Sequence, residues 1–262
     1  ATPHAQHGEA IRACLLAGKP VLCEKPLVPH GALGRELVAL ARERKVFLME
    51  ALWTRFLPLY EQLGALLRDG AIGELCGVQS SFCFHPPYDP KARLFAPELA
   101  GGALLDLGVY NLSMTRWALQ QTLGSCPEPR RIDVTAKLAP TGVDQRVSGL
   151  LEFDDGLSAH FICASDCVSA NAMQIIGDKG TIALPRGFSH AQSALLLRPG
   201  EADQAIEAPW RINGFEGQIE AVIDCVRSGQ TECAVMPLDE TLATLAWMDR
   251  IRAQIGVRYP FE

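Results

Sequence analysis

Two helical stripes and two short apolar runs alternate through the first fifty residues, and this order constrains the fold more than any other feature. Ile11, Cys14 and Leu15 make an apolar face at helical spacing, ended by Gly18. Val21 to Cys23 is a strand-like run, Leu33, Leu37, Leu40 and Ala41 form the next stripe, and Val46 to Met49 is a second run. Helix–strand–helix–strand order implies parallel strands joined by crossover helices, the back half of a doubly wound sheet. The first run closes on Glu24-Lys25-Pro26. Pro26 stops the strand and leaves a carboxylate and an ammonium at its carboxyl end, where open α/β sheets bind ligands. The pair is either a structural ion pair or part of a proton-transfer site.

Beyond about residue 55 the pattern changes. Leu59, Leu63, Leu66 and Leu67 predict one more helix, with Gly70 after its end. Period-two alternation then takes over. Val78 to Phe84 reads as a strand, and so do the stretches through Ile132, Val134, Ala136 and Leu138 and through Val143, Val147, Leu151 and Phe153. Asp154-Asp155-Gly156 turns the chain into Leu157 to Ala164, and Gly177 to Gly180 turns it into Thr181 to Leu184. A large, mostly antiparallel sheet is expected. Two striped helices close the chain, through Ile219, Val222, Ile223 and Val226 and through Leu242, Leu245, Met248 and Ile251.

Composition narrows the function classes. The formal net charge is −6 without a Lys/Arg cluster, which argues against nucleic acid as a partner. No apolar stretch is long enough to span a bilayer. Nine cysteines, an odd number without a CxxC pair, read as reduced small hydrophobes in a cytoplasmic protein. The six histidines show no zinc-site spacing with them, so no metal is expected.

The second constellation is Gly101-Gly102-Ala103-Leu104-Leu105-Asp106-Leu107-Gly108-Val109-Tyr110. On a helix over 104–119, Asp106 and Tyr110 share a face. A tyrosine is a poor base near neutrality, because its ordinary pKa is about 10. A neighbouring ammonium favours the phenolate, and Lys25 is the candidate neighbour, with Asp106 holding Lys25 or a substrate hydroxyl. A buried tyrosine bonded to a nearby aspartate is the alternative. Together the two constellations suggest proton transfer beside a nicotinamide.

These motifs resemble the glucose–fructose oxidoreductase/inositol dehydrogenase/rhizopine catabolism family (Gfo/Idh/MocA). The resemblance runs from Thr2-Pro3-His4 and His7 through Ala17 to Pro26, the Asp106/Tyr110 segment and Met236-Pro237-Leu238. Met49-Glu50-Ala51-Leu52-Trp53-Thr54-Arg55-Phe56 and Gly256 to Glu262 resemble its dihydrodiol and D-xylose dehydrogenase branch. Tyr110, where many members carry His, points the same way.

The resemblance implies an NADP-dependent oxidoreductase, with NAD possible, acting on a CH–OH group of a small diol or sugar. It implies a partial NAD(P)-binding Rossmann domain over 1–55 and a substrate-binding and dimerisation domain over 56–262. Lys25 and Tyr110 take the catalytic places, with Asp106 supporting. Thr2, Pro3, His4, Glu24 and Pro26 line the nicotinamide end, and Arg55 and Arg93 reach the cofactor. Trp53, Phe82 and Phe84 wall the substrate. For Trp53, Phe82 and Phe84 core packing, and for Arg93 an exposed ion pair, are the alternatives.

One departure stands out. No Gly-x-Gly-x-x-Gly occurs in a strand–turn–helix context, and Ala1-Thr2-Pro3-His4 reads as a loop leaving a strand. The chain is therefore expected to be a fragment whose phosphate loop lies upstream. A homodimer through the open sheet is also expected, and a non-catalytic binding or oligomerisation module derived from the same family is the rival reading.

Overall fold

The computed structural model describes residues 2–262; Ala1, the first residue of the expected amino-terminal loop, lies outside the described residues. The alternating region builds α1 (His7–Leu16), β1 (Val21–Glu24), α2 (Gly31–Arg44) and β2 (Leu48–Ala51). β1 and β2 pair in parallel, Val21 opposite Leu48 and Glu24 opposite Ala51. All four residues of β2 are buried, as expected of a strand covered on both faces. Gly34 lets α2 approach a carboxyl-terminal helix closely, since a Cβ there would lie 2.8 Å from the side chain of Leu245.

A 3₁₀ turn (Trp53–Phe56) leads into α3 (Pro58–Arg68), which carries Pro58 in its first turn, where no backbone donor is needed. β3 (Leu75–Cys83) follows. A π-helical turn (Leu104–Gly108) then opens α4 (Val109–Leu123). The rest of the sheet is β4 (Arg131–Leu138), β5 (Asp144–Glu152), β6 (Ser158–Ala164), β7 (Met173–Gly177), β8 (Thr181–Leu184), β9 (Ser193–Leu197) and β10 (Gln204–Glu207). Helices α5 (Glu216–Arg227) and α6 (Leu238–Ile255) close the fold.

The eight strands lie in the order β10-β9-β8-β7-β3-β6-β5-β4. Every neighbouring pair is antiparallel except β3 and β6, which run parallel at the centre. The inner face buries Val147, Leu151, Phe161, Ile175 and Ile182, and its strands β3, β5 and β6 pack against the π-turn, β3 and β6 also against α4. Each such aliphatic or aromatic side chain contributes about 1.5–3 kcal/mol of burial. α4 is buried on all sides from Val109 to Leu119, because the sheet covers one flank and α3 and α6 the other.

The outer face corrects one expectation. The homodimer contact expected there rested on many apolar alternating positions, yet Gln79, Ser81, Thr135 and Ser148 interleave on this face with half-buried Leu150 and Ile162. Period-two alternation fixes which residues point outward but not how polar that set is.

α6 packs on α2 and β2 as well as on α4 and β4, so one hydrophobic core runs through the whole chain. Among the described residues no helix is long and apolar enough to cross a membrane.

Candidate active site

The carboxyl end of β1 meets the π-turn, and the two constellations of the sequence converge there. Lys25 Nζ donates to Asp106 Oδ1 at 2.8 Å and to the Asp106 carbonyl at 2.5 Å. The same ammonium lies 5.0 Å from the centre of the Tyr110 ring, a cation–π distance. The wider π-turn replaces the regular helix expected from residue 104 and still brings Asp106 and Tyr110 to Lys25. Such turns recur at functional sites. Gly108 is held tightly there: a Cβ would come 2.8 Å from Leu104 and 3.0 Å from Cys163.

Asp106 also accepts from Arg93 Nη1 at 2.9 Å and Nη2 at 3.3 Å. Burial alone would push its carboxyl up. The charge of Lys25 and the hydrogen bonds and charge of Arg93 more than reverse that push and hold it well below the usual carboxylate range. Arg93 thus forms an ion pair with the buried Asp106 and at the same time lines an adjoining cavity.

His4 is buried beside this group. Its Nδ1 lies 3.0 Å from the Ala100 carbonyl and its Nε2 3.4 Å from Arg93 Nη1. Burial pulls His4 down to about 4, so near neutrality the ring is uncharged. The neutral tautomer that donates from Nδ1 to Ala100 leaves Nε2 as an acceptor for Arg93.

Thr2, Pro3, His4, His7, Glu24 and Lys25 line a cavity of about 380 Å³ together with Arg93 and Asp106. Pro26 stands behind this wall, its carbonyl 2.9 Å from Nδ1 of His7, whose Nε2 lies 3.0 Å from the Thr2 carbonyl.

Tyr110 corrects another expectation. Burial raises its pKa above the ordinary value of 10, while the hydrogen bond from Trp53 Nε1 at 3.2 Å and the nearby carboxylates act more weakly. Lys25 was expected to lower it. In the structure the ammonium faces the ring rather than the hydroxyl and is already held by Asp106. Phe82 packs edge-on to the Tyr110 ring at 5.3 Å and to Phe188 at 5.8 Å. Phe84 lies past the end of β3, more exposed, and is not among the rings around Tyr110.

Arg55 is placed elsewhere. It was expected at the cofactor, but its Nε donates to Ser113 Oγ at 3.2 Å, and its Nη2 reaches the Ser113 carbonyl at 2.9 Å and Glu240 Oε2 at 3.3 Å. Arg116 shares Glu240, at 3.0 Å. The cause is the 3₁₀ turn: at three residues per turn, side chains two apart diverge, so Trp53 faces Tyr110 while Arg55 faces α4 and α6.

Sequence reasoning missed three supports. Glu50 in β2 is fully buried and accepts from Leu27 N at 2.8 Å and Thr241 Oγ1 at 3.0 Å, tying the segment after Pro26 to α6. Trp210 and Phe215 stand against Trp53, with ring centres 6.4 and 4.3 Å away. Only the turn-forming Asn213-Gly214 pair before the last helices hinted at a defined loop there.

At this site the carboxyl end of a parallel strand meets the π-turn that packs on the large sheet. Residues 1–52 match an oxidoreductase family described as an NAD-binding Rossmann fold, and residues 60–183 match the GFO/IDH/MocA C-terminal domain. The chain belongs to the GFO/IDH/MocA family of oxidoreductases.

Its relatives include trans-1,2-dihydrobenzene-1,2-diol dehydrogenase of Mus musculus, 35% identical over 267 residues that cover 99% of this chain and 77% of the relative. The Homo sapiens enzyme of that name is 34% identical over 264 residues, with 99% and 77% covered. A solved aldose-aldose oxidoreductase from Caulobacter crescentus, complexed with glycerol, superposes with a TM-score of 0.85 at 25% identity, covering 98% of this chain and 76% of that one. A 3-ketoreductase from Actinomadura kijaniata, in complex with NADP and TDP-benzene, superposes with a TM-score of 0.80 at 26% identity, covering 96% and 75%.

Proposed function

We propose that this chain is an NADP-dependent dehydrogenase that oxidises a CH–OH group of a dihydrodiol or an aldose, or reduces the matching carbonyl. The observation that carries the reading is Lys25 held by Asp106 over the face of Tyr110, beside the cavity of Thr2, Pro3, His4 and Glu24. That cavity suits the nicotinamide end of a dinucleotide, since it offers donors on Lys25 and Arg93 and acceptors on Glu24 and the backbone. Bound there, the nicotinamide would supply the hydride acceptor for the alcohol carbon. NADP is favoured because it is the form bound in the 3-ketoreductase relative. Division of the chain near residue 55 belongs to the same reading.

The proton is handled by this chain's own residues. Trp53 donates to the Tyr110 oxygen, so the phenol keeps its own O–H free to meet a substrate oxygen. With its pKa raised by burial, Tyr110 is a neutral phenol near pH 7 and so holds a proton that it can give to a carbonyl oxygen. In the oxidising direction it must take the alcohol proton, so that direction gains as pH rises. Lys25, anchored by an aspartate that stays charged, donates to the substrate oxygen and stabilises it as the proton leaves.

Turnover by Tyr110→Phe and Lys25→Met tests the reading, with benzene dihydrodiol and D-xylose each assayed with NADP. Each change removes about 10²–10⁴-fold of kcat. The double change adds little more, because the two act as one unit. Near-wild-type kcat in a folded Tyr110→Phe rules the assignment out. A homodimer through the outer face of the sheet completes the reading, and dimerisation without turnover would favour a non-catalytic module.

A further inference from the structure

The loop between β10 and α5 is held by one side chain. The carboxylate of Glu216, the first residue of α5, accepts four consecutive backbone N–H groups. Its Oε1 takes those of Arg211 and Ile212 at 2.7 and 3.0 Å, and its Oε2 takes those of Asn213 and Gly214 at 3.2 and 2.7 Å. One turn further along α5, Glu220 takes the side chain of Arg211 at 2.5 Å, and Asn213 Oδ1 accepts from Phe215 N at 3.1 Å. The loop therefore has a fixed shape, although Ile212 at its tip is 74% exposed and buries little to hold it.

That shape is applied to Trp53. Phe215 stacks on its indole with ring centres 4.3 Å apart at 23°, and Trp210 tilts against it at 6.4 Å. Gly214 runs close beneath: a Cβ there would lie 2.6 Å from Trp53 Cζ3 and 3.1 Å from Trp210 Cε3, and its φ of +87° already favours glycine. The far edge of the same indole donates to the Tyr110 oxygen. A continuous set of contacts thus joins Glu216 to the loop, the loop to Trp53, and Trp53 to Tyr110.

We infer that Glu216 is a positioning residue for the oxidoreductase reaction: by clamping residues 211–214 it seats Trp210 and Phe215 on Trp53 and so fixes the indole N–H on Tyr110. Hydrogen-bonded carboxylates of this kind order a loop without burying apolar area, because each N–H to a charged acceptor makes a strong bond. Four amides on two oxygens leave the loop little freedom. Without the clamp, Trp53 gains rotameric freedom and the Tyr110 oxygen loses its donor. The hydrogen bond from Trp53 favours the phenolate, so its loss moves the tyrosine's titration to higher pH. The charged groups that also face Tyr110 are Lys25 and Glu24 from the end of β1, Asp106 from the π-turn and Glu50 from β2, and none of them touches the 211–216 loop.

The inference rests on Tyr110 and Trp53 belonging to the oxidoreductase site, so its test pairs a kinetic readout with one that needs no turnover. Glu216→Ala and Glu216→Gln are compared with wild type in acrylamide quenching of tryptophan fluorescence and in the KM, kcat and pH–rate profile of NADP-dependent dihydrodiol oxidation. Trp117 and Trp247 are buried and supply a constant background. Glu216→Ala is expected to raise the quenching constant, increase KM about tenfold and shift the basic rise of the rate to higher pH. Glu216→Gln keeps one acceptor oxygen for two of the four amides and falls between the two. Gly214→Ala, which forces the loop off Trp53 from the other side, reproduces the Glu216→Ala pattern should that variant fold poorly.

Wild-type quenching in folded Glu216→Ala overturns the clamp. Increased quenching with an unchanged pH profile and KM overturns the link to Tyr110 and leaves Glu216 a loop-stabilising residue. If wild type turns over neither a dihydrodiol nor an aldose, the functional reading falls and so does the positioning role, while the quenching result still decides whether Glu216 holds the loop.

Discussion

Replacing Asp106 by Asn tests the ion pair at the centre of the site through stability rather than rate. The Asp106 side chain is 7% exposed, that of Lys25 12% and that of Arg93 48%. Removing one partner of a buried ion pair costs about 3–5 kcal/mol, because the other is left buried and unpaired. Arg93 is half in water and turns outward at little cost. Lys25 keeps the Asp106 carbonyl as an acceptor. The loss therefore falls at the low end, about 3 kcal/mol. With a urea dependence of roughly 3 kcal/mol per molar, the unfolding midpoint drops by about 1 M.

The pH dependence of that difference has a definite sign. Asp106 titrates lower in the folded state than in the unfolded chain, so its contribution is complete above the unfolded value, about 3.9, and is lost as pH falls through the folded value. Urea titrations followed by circular dichroism between pH 7 and pH 3 should therefore give a constant gap down to about pH 4 and a closing gap below it. A midpoint within 0.2 M of wild type at pH 7 (on the order of 0.6 kcal/mol), or a gap that persists unchanged into acid, refutes a carboxylate held ionised by Lys25 and Arg93.

Three further outcomes are expected. Asp144 is buried, accepts from Leu104 N at 2.6 Å, and is pushed up by burial to about 6. Its contribution is complete below about pH 4 and is lost as pH rises through 6, a change of roughly 3 kcal/mol, so stability curves of Asp144→Asn should lack that decline; an equal decline in both proteins would refute it. Gly102→Ala places a methyl 2.3 Å from Asp144 Oδ1 at a φ of +121°, and thermal melts should show a loss of at least about 1–3 kcal/mol. Ile162→Arg on the outer face of the central strands should turn a sedimenting dimer into a monomer while the fold is kept; a mutant dimer as tight as wild type would place the interface elsewhere.

Much of the framework was legible in the chain because it rests on local rules. Helical stripes and apolar runs fixed parallel β1 and β2, and Pro26 marked where β1 stops and presents Lys25. Period-two alternation and the Asp155-Gly156 and Gly177 turns gave the antiparallel pairs β5–β6 and β7–β8, but not the placing of β3 between them. Asp106 and Tyr110 were readable as a pair because side chains four apart on an α-helical turn share a side, and the π-turn keeps them close.

What only the tertiary structure decided concerns directions and distances between distant segments. Whether Lys25 meets the hydroxyl or the face of Tyr110 depends on the π-turn, which no residue pattern announces. Arg55 turns toward Glu240 because residues 53–56 wind as a 3₁₀ turn, and Glu240 lies 185 residues away. The sign of the Tyr110 shift follows from burial among Phe82, Trp53 and the sheet, and burial is a property of the folded whole. The clamp of Glu216 on four amides exists only once the loop has closed on Trp53, since backbone N–H groups carry no signature in a sequence.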